Sequence, residues 1–311
     1  MQIGSLTIEN PFVLAPLAGY TDLAFRLLCR EYGAGLCYSE MISAHGLVYQ
    51  QQNTLDMIRT DPTERPVAMQ LFGTEPEIMG QAAAILSKQP IDLIDINMGC
   101  PVKKVIKKGS GAALLRTPII AERIIKEVVK NSRVPVTVKT RTGWNHQQII
   151  AEDFAKMVEE AGASAITLHA RTWTDGFSGQ VDWEMIKKVK EKVAIPVIGN
   201  GDLLCHDDGL AMLKQTGCDA VMIGRASLGA PWIFSAKVNP LPSMHFRLKA
   251  LSRHLELIAQ LFQTDRILAK TKNHAGKYFK GMPGSSGMRQ KIYETKTFQE
   301  LRDLIAAVKT P

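Results

Sequence analysis

The sequence has no long apolar run and no paired-cysteine motif, and these two absences exclude several classes of protein. None of its 311 residues lies in a run of about 18 uninterrupted apolar residues, the length of a membrane-spanning helix. The first residues lack the basic region, apolar run and cleavage site of a secretion signal. The five cysteines are odd in number and form no CxxC pair, so neither a disulfide framework nor a zinc site is indicated. We therefore expect a cytoplasmic protein without a metal and without contact to a membrane.

Aromatic and charged residues occur in ordinary amounts. Aromatic residues make up 6%, charged residues 22% and hydrophobic residues 45% of the chain, which excludes a disordered or collagen-like protein. A chain of this length can bury a sizeable core, either as one large α/β barrel or as two domains.

The net charge of +8 is unevenly distributed along the chain. Residues 241–311 hold 13 of the 38 basic and 5 of the 30 acidic residues, which leaves 25 of each sign in residues 1–240. A basic C-terminal part is consistent with a polyanionic partner and equally with a solvated helical surface, so charge alone does not choose between them.

Short apolar runs recur through the first part of the chain, and segments with helical spacing, such as residues 119–130 and 151–161, lie between most of them. A strand followed by a helix, repeated eight times, predicts a (β/α)8 TIM barrel. Residues 41–65 are less regular and are interpreted as an extended loop with a short helix. The predicted strands are residues 12–15, 36–39, 67–71, 93–96, 136–139, 165–168, 197–198 and 220–223.

The pattern changes near residue 240, where the run NPLPS contains two prolines and no strand candidate follows. Apolar spacing predicts helices over residues 246–262 and 297–308, with a Gly/Pro-rich turn at residues 281–287 between them. The sequence thus predicts a barrel domain over residues 1–240 and a small basic helical domain over residues 241–311.

Polar residues follow the ends of the predicted strands, which meet at one opening of a parallel barrel. The glycine-rich ends of the seventh and eighth strands, residues 199–202 and 224–225, predict a phosphate site because their backbone N–H groups are unobstructed. Gly109-Ser110-Gly111 lacks the GxxxxGK[ST] spacing of a nucleotide loop and is interpreted as a turn.

Three residues at this opening are candidates for chemistry. An unpaired buried ammonium is costly, so Lys139 at a strand end is a candidate ligand contact. His169 alone is more typical of a structural histidine, but its position favours a functional role, and no second residue at metal-ligand spacing accompanies it. Cys100 lies in the loop after the fourth strand, where a thiol of ordinary pKa, about 8.5, is mostly protonated and can donate a proton as well as attack.

Short motifs follow one another along nearly the whole barrel. They are PLAGYTD at 16–22, QLFG at 70–73, DINMGCPVKKV at 95–105, GSGAALL at 109–115, VKTRTGW at 138–144, HARTW at 169–173, GNGD at 199–202, MIGRASLGAPWIF at 222–234 and, more loosely, YFKGMPG at 278–284. Each fragment alone is weak, but their joint occurrence is highly specific. Together these segments resemble the tRNA-dihydrouridine synthases, most closely the bacterial B-type members.

The resemblance implies an enzyme that reduces the C5=C6 bond of specific tRNA uridines to 5,6-dihydrouridine, with FMN as cofactor and NADPH or NADH as reductant. It implies hydride transfer from reduced FMN to C6 and proton donation from Cys100 to C5, with Lys139 and His169 as further catalytic residues. By motif position, the flavin contacts Pro16, Leu17, Ala18, Gln70, Lys139 and His169, and its phosphate contacts Asn200, Gly201, Asp202, Gly224 and Arg225. Candidates for contact with the uracil are Asn97, Arg141 and Arg171.

Residues 241–311 would bind the tRNA phosphates, so their deletion is expected to abolish tRNA reduction and to leave flavin in the barrel. We expect a monomer. Two other hypotheses remain: an FMN barrel that reduces a free small pyrimidine or enone, and a non-catalytic RNA-binding protein. Equal reduction of free uridine and tRNA would favour the former, and a colourless preparation the latter.

Overall fold

The computed structural model describes residues 1–238 and 242–308, and the chain in it begins with a short antiparallel hairpin of β1 (Gln2–Ile3) and β2 (Leu6–Thr7). Ile3 and Ile8 are buried against Leu36 and Leu93, which lie at the beginnings of two later strands. The hairpin therefore closes the end of the barrel opposite to the predicted site. Two-residue strands carry no periodic signal, so this hairpin is not predicted from the sequence.

Eight parallel strands form a closed barrel, which confirms the predicted (β/α)8 fold. Neighbouring strands follow the order of the chain, and the last strand pairs with the first. Every predicted strand is present, and most extend one to four residues beyond the predicted end. The barrel strands are β3 (Phe12–Leu14), β4 (Leu36–Ser43), β5 (Val67–Phe72), β6 (Leu93–Met98), β7 (Val136–Arg141), β8 (Ala165–His169), β9 (Val197–Asn200) and β10 (Ala220–Ile223).

Helices surround the barrel, and the predicted helices over residues 119–130 and 151–161 match two of them to within one residue. In residues 41–65 the strand β4 continues to Ser43 and is followed by two short helices and a 3-10 turn at Pro62–Glu64. The helices of the barrel part are α1 (Leu23–Glu31), α2 (Ala44–Val48), α3 (Gln52–Met57), α4 (Pro76–Leu86), α5 (Lys103–Ile106), α6 (Pro118–Asn131), α7 (Ala151–Glu160), α8 (Trp183–Lys192) and α9 (His206–Thr216).

The C-terminal part of the described chain is helical. The predicted helices 246–262 and 297–308 correspond to α10 (Met244–Leu261) and α13 (Phe298–Ala306). Two further helices, α11 (Leu268–Tyr278) and α12 (Ser285–Glu294), were not predicted, and α12 begins inside the predicted turn, directly after Gly284 at φ +71°. The expected domain boundary at residue 240 lies outside the described residues, so the two-domain division stays a prediction. None of the helices in residues 1–238 and 242–308 is long and apolar enough to cross a membrane.

Candidate active site

The carboxyl ends of the strands bring the predicted polar residues to one opening. Strand β7 pairs with β6 so that Lys139 lies opposite Asn97, and with β8 so that Arg141 lies opposite His169. Strand β8 in turn pairs with β9, where His169 lies opposite Asn200. Because side chains alternate along a strand, residues two apart face the same side. The interior of the barrel is apolar at the hairpin end and polar at this opening.

Lys139 and His169 carry shifted pKa values with a common main cause. Burial lowers the pKa of Lys139 to about 8, helped by the charge of Arg141 and opposed by Asp95. Its Nζ donates a hydrogen bond to Oδ1 of Asn200 at 3.2 Å. Burial also moves the pKa of His169 well below its usual value, and four surrounding positive charges act in the same direction. At neutral pH the imidazole is therefore neutral and the lysine is mostly an ammonium.

Cys100 lies in the loop directly after β6 and is 9% exposed. Its backbone N–H donates to Oδ1 of Asn97 at 2.9 Å, which fixes the start of the loop. Burial raises the pKa of the thiol above its ordinary value, while the N–H of Val102 and the charges of Arg141 and Lys139 lower it. The thiol is therefore protonated at neutral pH, the state that a proton donor requires.

A chain of hydrogen bonds inside the barrel leads to this loop. Thr137 Oγ1 and Gln70 Nε2 donate to the two carboxylate oxygens of Asp95 at 2.6 and 2.7 Å. Gln70 Oε1 accepts from Nδ2 of Asn97 at 2.7 Å, and Asn97 holds the N–H of Cys100. Burial raises the pKa of Asp95 to about 7, against the hydrogen bonds from Thr137 and Gln70. Sequence reasoning missed Asp95, although its position two residues before Asn97 places both on the same face of a strand.

The side chains predicted to contact uracil are engaged with protein atoms. Arg141 donates from Nε to the Gly99 carbonyl at 2.9 Å and from Nη1 to the carbonyls of Thr172 and Gly176 at 2.8 and 2.9 Å. Arg171 forms a two-point ion pair with Asp202, with Nη1 2.8 Å from Oδ1. Both residues are nearly fully buried. Their visible role is to hold the loops of the opening together, and their direct contact with uracil stays a prediction.

The residues predicted to hold a phosphate lie at the ends of β9 and β10. Gly201 has φ +139°, and a Cβ there would lie 2.9 Å from Cγ1 of Val181, so the backbone comes closer to its neighbours than another residue would allow. Arg225 is exposed, with Nη2 3.3 Å from Oδ1 of Asp202. Lys139, Arg171 and Arg225 all lie near His169, so the opening is rich in positive charge. This donor set fits an anionic, phosphate-bearing ligand.

Pro16, Leu17 and Ala18 lie on the loop after β3, where Ala18 is exposed and the other two are half-buried. The Leu17 carbonyl accepts from the N–H groups of Tyr20 and Thr21 at 2.9 and 3.0 Å. The next residue, Gly19, donates its N–H to Oε1 of Glu40. Glu40 has no predicted role in the sequence, because it belongs to none of the motifs.

The parallel barrel with its polar, positively charged opening defines a (β/α)8-barrel enzyme. Among solved structures, histamine dehydrogenase from a Rhizobium species is 14% identical, with a TM-score of 0.57. The aligned region covers 83% of this chain and 50% of that protein. Morphinone reductase is 12% identical, with a TM-score of 0.57, and the aligned region covers 74% of this chain and 87% of that protein. At these identities the likeness shows the fold alone.

The sequence model for dihydrouridine synthase matches residues 13–310, so the chain belongs to the dihydrouridine synthase family. It is 38% identical over 314 residues to a probable tRNA-dihydrouridine synthase 1 of Synechocystis, covering 98% of this chain and 88% of that protein. It is 42% identical over 234 residues to tRNA-dihydrouridine synthase B of Vibrio parahaemolyticus, covering 75% and 73%. These findings confirm the resemblance to the B-type members and support an enzyme with a flavin cofactor.

Proposed function

We propose that this protein reduces the C5=C6 bond of specific uridines in tRNA, with FMN as cofactor and NADPH as reductant. One observation carries the proposal beyond family membership: a thiol kept protonated by burial, Cys100, lies at the barrel opening beside the ammonium of Lys139. A proton donor at this place is what reduction of a conjugated double bond requires.

The residues at the strand ends fit FMN by their chemistry. The backbone of Asn200, Gly201 and Asp202, with Gly224 and Arg225, would hold the phosphate, while Pro16, Leu17, Ala18, Gln70, Lys139 and His169 would hold the ring. When bound and reduced, FMN supplies the hydride that adds to C6 of uracil.

Cys100 would give its proton to C5, so that a C–H bond forms, the S–H bond breaks and a thiolate remains. The groups that lower the pKa of the thiol are the groups that stabilise this thiolate: the N–H of Val102 and the positive charges of Arg141 and Lys139. Burial favours the protonated form before the reaction, and these groups limit the cost of its loss.

A second basic surface beside Cys100 supports an RNA substrate. Between Asp95 and Glu122 the sequence has no acidic residue. Four exposed lysines lie on a segment that leaves Cys100 and returns to it, where the N–H of Ala112 donates to the Cys100 carbonyl at 3.2 Å. We call them the loop lysines: Lys103 and Lys104 on the short helix α5, and Lys107 and Lys108 directly after it. Within residues 1–238 and 242–308 none of the four forms an ion pair.

The buried position of the thiol requires the target uridine to leave the tRNA stack and enter the opening. The loop lysines and the basic residues of the C-terminal helices would then bind phosphates on either side of it. Because tRNA is a cytoplasmic molecule, this substrate supports the expected cytoplasmic location. A monomer remains part of the proposal.

The function is tested by anaerobic titration of the purified protein. We expect a yellow protein whose FMN absorbance is bleached by NADPH, and dihydrouridine formation on tRNA lacking this modification. Mapping dihydrouridine in tRNA from a strain without the gene, and after its restoration, identifies the position. Equal rates on tRNA and free uridine would instead favour a small-molecule substrate, and protein that binds no flavin after reconstitution would contradict the proposal.

The pH dependence of the reaction should reflect Lys139. Its pKa of about 8 means that the ammonium near the ring site is lost as the pH rises through this value. We expect the rate of tRNA reduction to fall above about pH 8, and Lys139→Arg, which stays charged, to move this fall to higher pH. The measurement is a single-turnover rate profile for both proteins. A wild-type profile that is flat through this range would contradict a role for the charge.

A further inference from the structure

The loop after β3, residues 16–22, is held from behind by helix α11 of the C-terminal part. We call residues 16–22 the flavin loop, because Pro16, Leu17 and Ala18 are proposed to contact the flavin. Two groups of α11 reach it: the ammonium of Lys270 and the imidazole of His274. Neither was singled out by the sequence, since they lie about 250 residues away from the loop in the chain.

Lys270 joins two carboxylates that both act on the flavin loop. Its Nζ lies 2.8 Å from Oε2 of Glu40 and 3.2 Å from Oδ2 of Asp22. The other oxygen of Glu40 accepts the N–H of Gly19, next to Ala18. The other oxygen of Asp22 accepts the N–H of Phe25 at 3.0 Å and so caps α1. A single ammonium therefore fixes the middle of the loop through Glu40 and its end through Asp22.

His274 adds a third attachment, because its Nε2 donates to the carbonyl of Tyr20 at 3.1 Å. Asp22, His254 and His274 lie close enough together to suggest a metal site. Both carboxylate oxygens of Asp22 are already engaged, however, and Lys270 already supplies a positive charge to this carboxylate. We therefore assign the cluster to the joint between α10, α11 and the flavin loop.

Charge balance shows that this joint depends on Lys270. Burial alone would lower the pKa of Lys270, but Asp22 and Glu40 raise it above its ordinary value. Burial would likewise raise the pKa of Asp22, but Lys270 and the two histidines lower it. Removing the ammonium would leave two largely buried carboxylates without their partner, which is more costly than the loss of an exposed ion pair.

We propose that Lys270 and Glu40 are positioning residues for the flavin loop, so that the C-terminal helices support cofactor binding as well as RNA binding. This inference rests on the proposed flavin site. It revises the expectation that deletion of residues 241–311 would leave the flavin in the barrel, because such a deletion removes Lys270 and His274 together.

The test is FMN affinity of the full-length apoprotein, measured by quenching of flavin fluorescence. We expect Lys270→Met and Glu40→Gln each to weaken FMN binding by about tenfold or more. Lys270→Met removes the ammonium from both carboxylates, and Glu40→Gln leaves only a neutral amide to face Lys270 and the N–H of Gly19. Lys270→Arg should retain most of the affinity. The double variant should lose less than the product of the single losses, because both act through one contact.

Arg253→Met is the matched control. Arg253 on α10 forms an ion pair with Glu31 on α1 at 2.6 Å, so it also joins the C-terminal helices to the barrel, but without touching the flavin loop. We expect this variant to bind FMN like the wild type, even where the melting temperatures of the two apoproteins differ.

Unchanged FMN affinity in Lys270→Met and Glu40→Gln would overturn the inference, as would an equal loss in Arg253→Met, which would indicate general loosening of the helices. If Lys270→Met does not fold, the isosteric Glu40→Gln decides the question. Wild-type protein that binds no FMN would contradict the proposed function itself, and so is distinguishable from failure of this inference alone.

Discussion

Cys100→Ala is expected to reduce dihydrouridine formation by about 10²- to 10⁴-fold while FMN stays bound, the range typical of losing a general acid. The substitution removes the proton donor. The backbone N–H of residue 100 can still donate to Asn97, so the start of the loop stays fixed. Reduction of the flavin by NADPH should be unaffected, since no proton from this thiol enters that step. The loss should appear only when tRNA is added to the reduced enzyme.

Cys205→Ala is the control for this experiment. Cys205 is also a free cysteine near the strand ends, but it is partly exposed, precedes α9 and lies outside the loop of Cys100. We expect this variant to reduce tRNA at nearly the wild-type rate. Normal tRNA reduction by Cys100→Ala would show that the proton comes from another group or from water, and the role of the thiol would be wrong.

The strand ends were predictable because a parallel barrel converts a repeated sequence pattern into one site. Lys139, His169 and Asn200 each come directly at the end of an apolar run, and the observed register places them on adjacent strands. The motifs therefore located the opening before any pairing was known. The motifs did not show which hydrogen-bond partner each side chain has.

The hydrogen-bond and ion-pair partners of these side chains come from segments that are distant in the chain, and the sequence does not show such contacts. Arg141 and Arg171 look like free cations in the sequence, but in the fold they hold backbone carbonyls and Asp202. Lys270 looks like one more charge of a basic helix, but it joins Asp22 and Glu40. A charged residue at a predicted opening can bind a ligand or hold the walls, and only its neighbours distinguish the two roles.

Replacing the loop lysines Lys103, Lys104, Lys107 and Lys108 together with glutamine is the second change for which we expect a large effect. If all four bind phosphates, their loss should reduce the salt dependence of tRNA binding. Raising the salt from about 50 to 200 mM should then weaken tRNA binding by a factor that is about 10²-fold smaller in the variant than in the wild type. Reduction of FMN by NADPH should not change. The measurement is the dissociation constant of tRNA at several salt concentrations.

A control with the same change in net charge uses Lys126, Lys130, Lys188 and Lys192, all replaced by glutamine. These residues lie on α6 and α8, toward helix ends that face away from the opening, because barrel helices run antiparallel to their strands. Long-range attraction of tRNA depends on net charge and would weaken equally in both variants, whereas direct phosphate contacts beside Cys100 would be lost in only one. Equal salt slopes in the two variants would therefore assign tRNA binding to overall charge and remove the loop lysines from the site.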